Sequence, residues 1–191
     1  ENEPVWKFSM LPATQFLAHH DLEPMPNGNV LMMCWERKSK EEALRQGRRP
    51  DLIPDNEVWD NLIVELQPNG RGSADIVWQW SLWDHLVQDF DSGKPNFGVV
   101  SEELGRFDLN FCPPGGKPAQ RNLELLAGAK AKERTAYVRS NTGRTTFEIP
   151  IEGKTGEKDW VHANSVSYCP QRDQVLISLL VPCEIIVVDH S

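Results

Sequence analysis

A short unit that opens with histidine and runs through a polar turn into an apolar strand occurs twice in this chain. The first copy, residues 19–33, reads HHDLEPMPNGNVLMM, and the second, residues 162–178, reads HANSVSYCPQRDQVLIS. Side chains before the first turn alternate in polarity, which is typical of a β-strand. The Asn-Gly pair accepts the positive φ that a tight hairpin turn requires. A repeated hairpin of this kind predicts an all-β antiparallel fold assembled from similar sheets.

The first half of the chain predicts one complete four-stranded sheet, residues 16–83. Its strands are rich in tryptophan and β-branched residues, and polar turns separate them. This pattern is typical of one blade of a β-propeller. The expected strands cover residues 16–25, 30–35, 61–67 and 75–80.

Residues 36–57, between the second and third strands, are charged and contain proline. Lys38 to Arg48 allow two interpretations, a short surface helix that ends at Gly47 or a solvated loop. We favour the loop.

The middle of the chain, residues 84–158, is expected to be a long connection or insertion. Residues 84–112 lack a periodic pattern, and a loop of this length in a compact domain is usually functional or a lid. Residues 113–134 predict at most a marginal helix, and residues 135–150 predict a hairpin.

The last segment, residues 159–191, predicts a second and incomplete blade with strands at 161–168, 174–180 and 184–189. A missing fourth strand would leave an unpaired sheet edge. Either the apolar segment Val5 to Phe8 supplies that strand, or other chains or further residues complete the ring. We therefore expect residues 1–191 to form a single, partial propeller-type domain with about two to three blades.

Composition excludes some classes of function. The net charge is -8, which argues against nucleic acid as a partner because phosphate binding depends on clustered lysine and arginine. No apolar run is long enough to predict a membrane span. The four cysteines never occur at C-x-x-C spacing, so no zinc site is predicted, and their pairing and the redox compartment stay open. No metal or cofactor is expected.

The histidines are the candidate functional residues, because imidazole donates, accepts or attacks near neutral pH. His20 and His162 open the two repeated units, and the alternative for His20 is a hydrogen-bonded core residue. His19 is expected on the opposite face of the strand from His20, in a structural role. Asn164 is expected on the same face as His162, where it would orient the ring. His85, on the long connection, is either at the mouth of a channel or an anchor for its loop.

Several spaced motifs resemble the bacterial aryl-sulfate sulfotransferase (arylsulfotransferase) family. They are HHDLEPMPNGNVLMMCWERK, DIVWQWSLWDHLVQDFD followed by KPNFG, DWVHANSVSY, DQVLIS and EIIVVDHS, in that order, within residues 5–112 and 159–191. The resemblance implies a six-bladed β-propeller that is periplasmic or extracellular. It implies transfer of a sulfuryl group from a phenolic sulfate ester to a phenol, through a transient sulfohistidine and without a nucleotide sulfate donor.

Carried over by motif, His20 and His162 are the expected catalytic residues, which would stabilise the sulfuryl group or protonate the leaving phenol. His85 and Asn164 are the expected substrate-binding residues. Two features depart from the family pattern. Leu180 stands where the family has an arginine, and the later Q-H-D-A-R motif with the nucleophilic histidine is not found.

These departures predict a partial or divergent member of the family, impaired as a catalyst in this chain alone. Its partners would be a phenolic sulfate and a phenol. The alternative, which Leu180 favours, is a non-catalytic propeller that binds a ligand or a protein at the mouth of its channel.

Overall fold

The computed structural model describes residues 3–10, 16–112 and 158–191, together with the strand backbone at 136–140 and 143–147. The chain divides into two compact units, one of Glu1–Phe111 with Glu157–Ser191 and one of Cys112–Gly156.

The first sheet contains the four strands β1 (Phe16–Pro24), β2 (Val30–Ser39), β3 (Glu57–Pro68) and β4 (Ala74–Ser81). They lie in the order β1-β2-β3-β4, and each neighbour is antiparallel. The four predicted strands are thus confirmed, and β2 and β3 are longer than expected. The predicted turn after β1 is also confirmed, since Met25 N donates to Asn29 O at 2.8 Å and Gly28 has φ +86°.

A short helix, α1 (Lys40–Arg45), follows β2 directly. The expected loop is therefore wrong at these residues. The Ser39 hydroxyl accepts from Glu42 N, and the Glu42 side chain accepts from Ser39 N, which together form a capping box. The Ser-x-x-Glu spacing was visible in the sequence, and it favours a helix more strongly than the charged composition favours a loop.

The long connection after β4 is irregular, as predicted, but it is internally organised. Its only regular pairing within residues 82–112 is two residues long, between the parallel strands β5 (Leu86–Val87) and β6 (Phe107–Asp108). The Gln88 side chain is fully buried beside them. Its carbonyl accepts from Phe90 N and Asp91 N, and its amide donates to Asp91 O. One buried amide therefore fixes the path of the loop.

The second unit contains an antiparallel hairpin of β7 (Ala136–Ser140) and β8 (Gly143–Phe147). This confirms the hairpin predicted within residues 135–150. The marginal helix predicted at 113–134 lies outside the described residues.

The second sheet of the first unit contains β9 (Ala163–Cys169), β10 (Gln174–Leu179) and β11 (Glu184–Asp189), in the order β11-β10-β9. All three predicted strands are confirmed. Among the described residues, no further strand pairs with β11.

The strand expected at Val5 to Phe8 is wrong, because this segment has no regular structure. It lies instead along the β3–β4 turn, where Lys7 N donates to Arg71 O at 3.1 Å and Trp6 Nε1 donates to Ser73 O at 3.2 Å.

Both sheets of the first unit share one apolar core. Its fully buried members include Leu31 and Ile63 from the first sheet and Val175 and Ile177 from the second. Burial of such side chains stabilises the fold by about 1.5–3 kcal/mol each. The all-β antiparallel class is thus confirmed. Within the described part of the chain, no helix combines the length and the apolar character needed to cross a bilayer.

A histidine clasp joins the two sheets on the side of the hairpin turns. His190 lies with Nε2 at 2.7 Å from Glu65 Oε2 and Nδ1 at 2.9 Å from Asp173 Oδ1. Burial alone would raise the pKa of Glu65, but hydrogen bonds from Asn29, Asn27 and His190 together lower it. The clasp therefore holds a buried carboxylate of β3 in its charged form.

Replacement of His190 by alanine should destabilise the protein by about 2–3 kcal/mol, because it removes a partner from the buried Glu65 carboxylate. Tyr168→Phe is the matched control. It removes one hydrogen bond to Asp173 at the more exposed end of the clasp, where water can replace the lost partner, so its loss of stability should be clearly smaller. Urea unfolding followed by tryptophan fluorescence measures both. Equal losses in the two variants would contradict the clasp.

Candidate active site

The opening histidines of the two repeated units contact each other. His20 Nε2 lies 2.9 Å from His162 Nε2, although 142 residues separate them in sequence. His20 belongs to β1, and His162 directly precedes β9. The His20 residue is exposed and the His162 side chain is 28% exposed, so a small molecule can reach both rings. The structure thus brings together the two residues that the sequence selected.

The backbone at both histidines is left-handed, with φ 52° at His20 and φ 51° at His162. In β1, Ala18 pairs with Cys34 and Leu22 pairs with Met32, so three residues oppose Met33 alone. This bulge interrupts the alternation of side chains and turns His20 toward the second sheet. A non-glycine residue in this conformation costs roughly 1–2 kcal/mol, and such strain is concentrated at functional sites.

Asp21 fastens the bulge of β1 to the neighbouring sheet. Its Oδ1 accepts from Leu22 N at 3.0 Å, and its Oδ2 accepts from Val166 N of β9 at 3.1 Å. One carboxylate therefore fixes both the local turn and the distance between β1 and β9. That distance is what places the two histidine rings within hydrogen-bonding reach.

A buried polar pair supports His162 from the other side. Asp159 Oδ2 lies 2.6 Å from His162 Nδ1, and Asp159 Oδ1 accepts from His162 N at 3.1 Å. Asn61 of β3 donates from Nδ2 to Asp159 Oδ1 at 3.1 Å. Sequence reasoning missed both residues. The Asp-Trp-x-His spacing was a signal for Asp159, but no local pattern pointed to Asn61.

His19 packs beside the site rather than in it. Its ring stacks on Trp35 with centroids 4.0 Å apart and lies edge-on to His20 at 5.2 Å. The expected opposite faces are therefore wrong, because the left-handed backbone at His20 breaks the alternation. Burial lowers the pKa of His19 to about 4, although the charge of Asp159 acts against that shift. His19 is thus neutral at physiological pH.

The other two predicted residues, His85 and Asn164, make no hydrogen bond or ring contact with the pair. His85 ends a single turn of 3-10 helix after β4 and stacks on Trp80 at 5.2 Å. This is the edge of the first sheet opposite β1. Asn164 is exposed on β9, and its predicted role in orienting His162 stays a prediction; the side chain that contacts the ring is Asp159.

Leu180 lies beside His162. Its N donates to His162 O at 2.9 Å, and the residue is 58% exposed. Position 180, where the motifs lead us to expect an arginine, is therefore adjacent to His162 and open to solvent. No group of three or more metal-ligating side chains converges within the described residues.

Replacement of His19 by phenylalanine should reduce the loss of stability in acid. Because the pKa of His19 falls from 6.5 to about 4 on folding, the unfolded chain binds a proton that the native state refuses. Wild-type stability is therefore lost as the pH falls from about 6.5 to about 4, by on the order of 2 kcal/mol for this partly buried group. His19→Phe keeps a ring on Trp35 and should lose less. Urea unfolding at both ends of this window measures the difference, and equal losses would contradict it.

Comparison with protein families supports the resemblance that the motifs indicated. The model of the arylsulfotransferase (ASST) family matches residues 5–190. The match spans nearly the whole chain, and residues 113–158, which the motifs had left unassigned, lie within its bounds. Comparisons with curated proteins and with solved structures find no match. The chain therefore belongs to the arylsulfotransferase family.

Proposed function

We propose that this protein transfers a sulfuryl group from a phenolic sulfate ester to a phenol, and that His20 and His162 form the reactive pair. The observation that carries the proposal is the 2.9 Å contact between the two Nε2 atoms. Membership of the arylsulfotransferase family supports the class of reaction. No nucleotide sulfate donor is required in this scheme.

The chemistry needs charge stabilisation and proton transfer at one point. Negative charge on the sulfuryl oxygens and on the leaving oxygen must meet positioned donors. Two facing imidazoles that share a proton supply a donor on either ring. Both rings are reachable from solvent, and strained backbone on rigid sheets holds them in place.

The proton balance closes over the two half-reactions. When the S–O bond of the donor ester breaks, the leaving phenoxide takes the proton that the histidine pair holds. When the S–O bond to the acceptor phenol forms, the acceptor's hydroxyl proton returns to the pair. The group that first receives the sulfuryl is not assigned to a residue of this chain, and the balance is the same for direct transfer.

We also propose that the two sheets are neighbouring blades of a β-propeller. Contact between β1 and β9, the first strand of each sheet, supports this, because such strands would face a central channel. In that arrangement His20 and His162 line the channel. A periplasmic or extracellular location is proposed from family membership alone.

A second candidate function is non-catalytic binding of a ligand at the same pair. The observation that favours it is Leu180, an apolar side chain at the family's arginine position beside His162. Loss of one such donor typically costs about 10²–10³ in rate. A channel with two histidines and leucine at position 180 would bind a sulfate ester but turn it over slowly.

Alanine at His20 or at His162 should abolish transfer from a chromogenic phenyl sulfate to phenol, with losses of at least about 10²-fold. Each change removes one of the two rings between which the proton is shared. Arg172→Ala, in the exposed β9–β10 turn, is the control and should retain wild-type rates. Release of the chromophore and formation of the new ester are measured together. Unchanged turnover in both histidine variants would overturn the proposal, and a folded wild type that binds without turnover would favour the binding function.

Leu180→Arg should raise the rate of transfer, by up to about 10²-fold, because it adds a donor beside His162. Ile185→Arg is the matched control, since it adds the same charge at an exposed position of β11. The kcat of the two variants is compared in the same phenyl sulfate assay. An equal effect of both substitutions would show that general charge, rather than position 180, controls the rate.

A further inference from the structure

We infer that Asp159, held by Asn61, is a positioning residue that keeps a proton on His162 Nδ1 and leaves His162 Nε2 as the proton acceptor that faces His20. The catalytic consequence of this inference rests on the proposed function. The position of the proton on His162 does not rest on that function, and it is measured separately by NMR.

The placement of Asp159 points to the tautomer. The residue is 9% exposed, and its Oδ1 is occupied by two N–H donors, from His162 and Asn61. Its Oδ2 has no aligned hydrogen bond and lies 2.6 Å from His162 Nδ1. A carboxylate presents only lone pairs. An unprotonated Nδ1 would set lone pair against lone pair at that distance, whereas a proton there makes the contact attractive.

Asn61 fixes the carboxylate rather than merely touching it. Its Oδ1 accepts from Ala163 N at 3.0 Å, and its Nδ2 donates to Asp159 Oδ1 at 3.1 Å. Ala163 N is only a donor, so the amide cannot be flipped without two donors facing each other. Because Asn61 is 2% exposed, water cannot replace either bond. Asp159 is therefore held as an acceptor between two sheets.

The tautomer determines the direction of the bond within the histidine pair. With the proton on Nδ1, neutral His162 has its lone pair on Nε2, and His20 Nε2 must donate across the 2.9 Å contact. His162 then takes the hydroxyl proton of the acceptor phenol as the S–O bond forms. The imidazolium that results lies beside Asp159, whose charge stabilises it. That proton passes to the phenoxide that leaves when the next donor ester is cleaved, which returns His162 to its neutral form.

Asp21 offers a matched control for Asp159. It is also a carboxylate close to the pair, but its oxygens accept from the backbone N–H groups of Leu22 and Val166. Asp21→Asn and Asp159→Asn each remove one negative charge near the histidines. Asp21→Asn weakens the bond between β1 and β9, whereas only Asp159→Asn changes the group that faces His162 Nδ1. A difference between the two variants therefore reports on the tautomer and not on net charge.

The test is a long-range ¹H–¹⁵N correlation spectrum of histidine-labelled full-length protein, with His162 assigned from its loss in His162→Gln. We expect a protonated Nδ1 and an unprotonated Nε2 in the wild type and in Asp21→Asn. In Asp159→Asn, Nε2 should gain the proton in a substantial fraction of molecules. A wild-type His162 protonated on Nε2 alone, or an unchanged tautomer in Asp159→Asn, would overturn the inference.

A kinetic measurement adds the catalytic consequence. Asp159→Asn should lower kcat for phenyl sulfate transfer by about 10²–10⁴-fold with little change in KM, because binding does not depend on the tautomer. A purely structural role would affect KM as much as kcat and would leave the tautomer of His162 unchanged. If the spectrum shows the expected tautomer while the wild type has no activity, the proposed function fails and the positioning of His162 stands.

Discussion

The contact between β1 and β9 is the constraint on which the site depends. Neither strand carries a complete site, because each contributes one histidine and the second ring comes from 142 residues away. The shared apolar core brings the two sheets together, and the Asp21 bond to Val166 N sets their separation. Polar contacts then act at both ends of the interface. The His190 clasp lies at the hairpin turns, and the Asn61–Asp159 pair lies beneath His162.

Strain at the two histidines has to be balanced by these same contacts. A left-handed conformation at His20 and at His162 would relax in an isolated hairpin, where nothing opposes it. In the folded protein the bulge in β1 is fixed by Asp21, and the residue after His162 donates its N–H to Asn61. The bonds that stabilise the interface are therefore also the bonds that hold the side chains in position. A mutation of Asp21, Asn61 or Asp159 should therefore affect both the stability of the protein and the chemistry proposed for the pair. A variant that removes the same charge at another position separates the two effects.

Much of the fold follows from local patterns, and much of the site does not. Strand alternation and the Asn-Gly turn predicted the sheets, because period-two burial is encoded residue by residue. The helix at Lys40–Arg45 was missed although its Ser39–Glu42 capping box was readable. The strand predicted at Val5 to Phe8 is not formed, because tertiary contacts with the β3–β4 turn outweigh the strand propensity of these residues. Asn61 could not be found, since its partner Asp159 is 98 residues away and only packing joins them.

Leu180 is an apolar side chain at a position beside His162 where sulfuryl transfer would favour a positive charge. A transferring sulfuryl group needs positive charge nearby, and an arginine supplies it permanently. An imidazole supplies it only when it binds a second proton, and a neighbouring carboxylate favours that charged form. Asp159 occupies the position where such a carboxylate acts, on the far side of His162 from His20. With leucine at position 180, the transfer proposed for this pair lacks the donor that the motifs predict there, and Asp159 is the carboxylate placed to balance charge on His162.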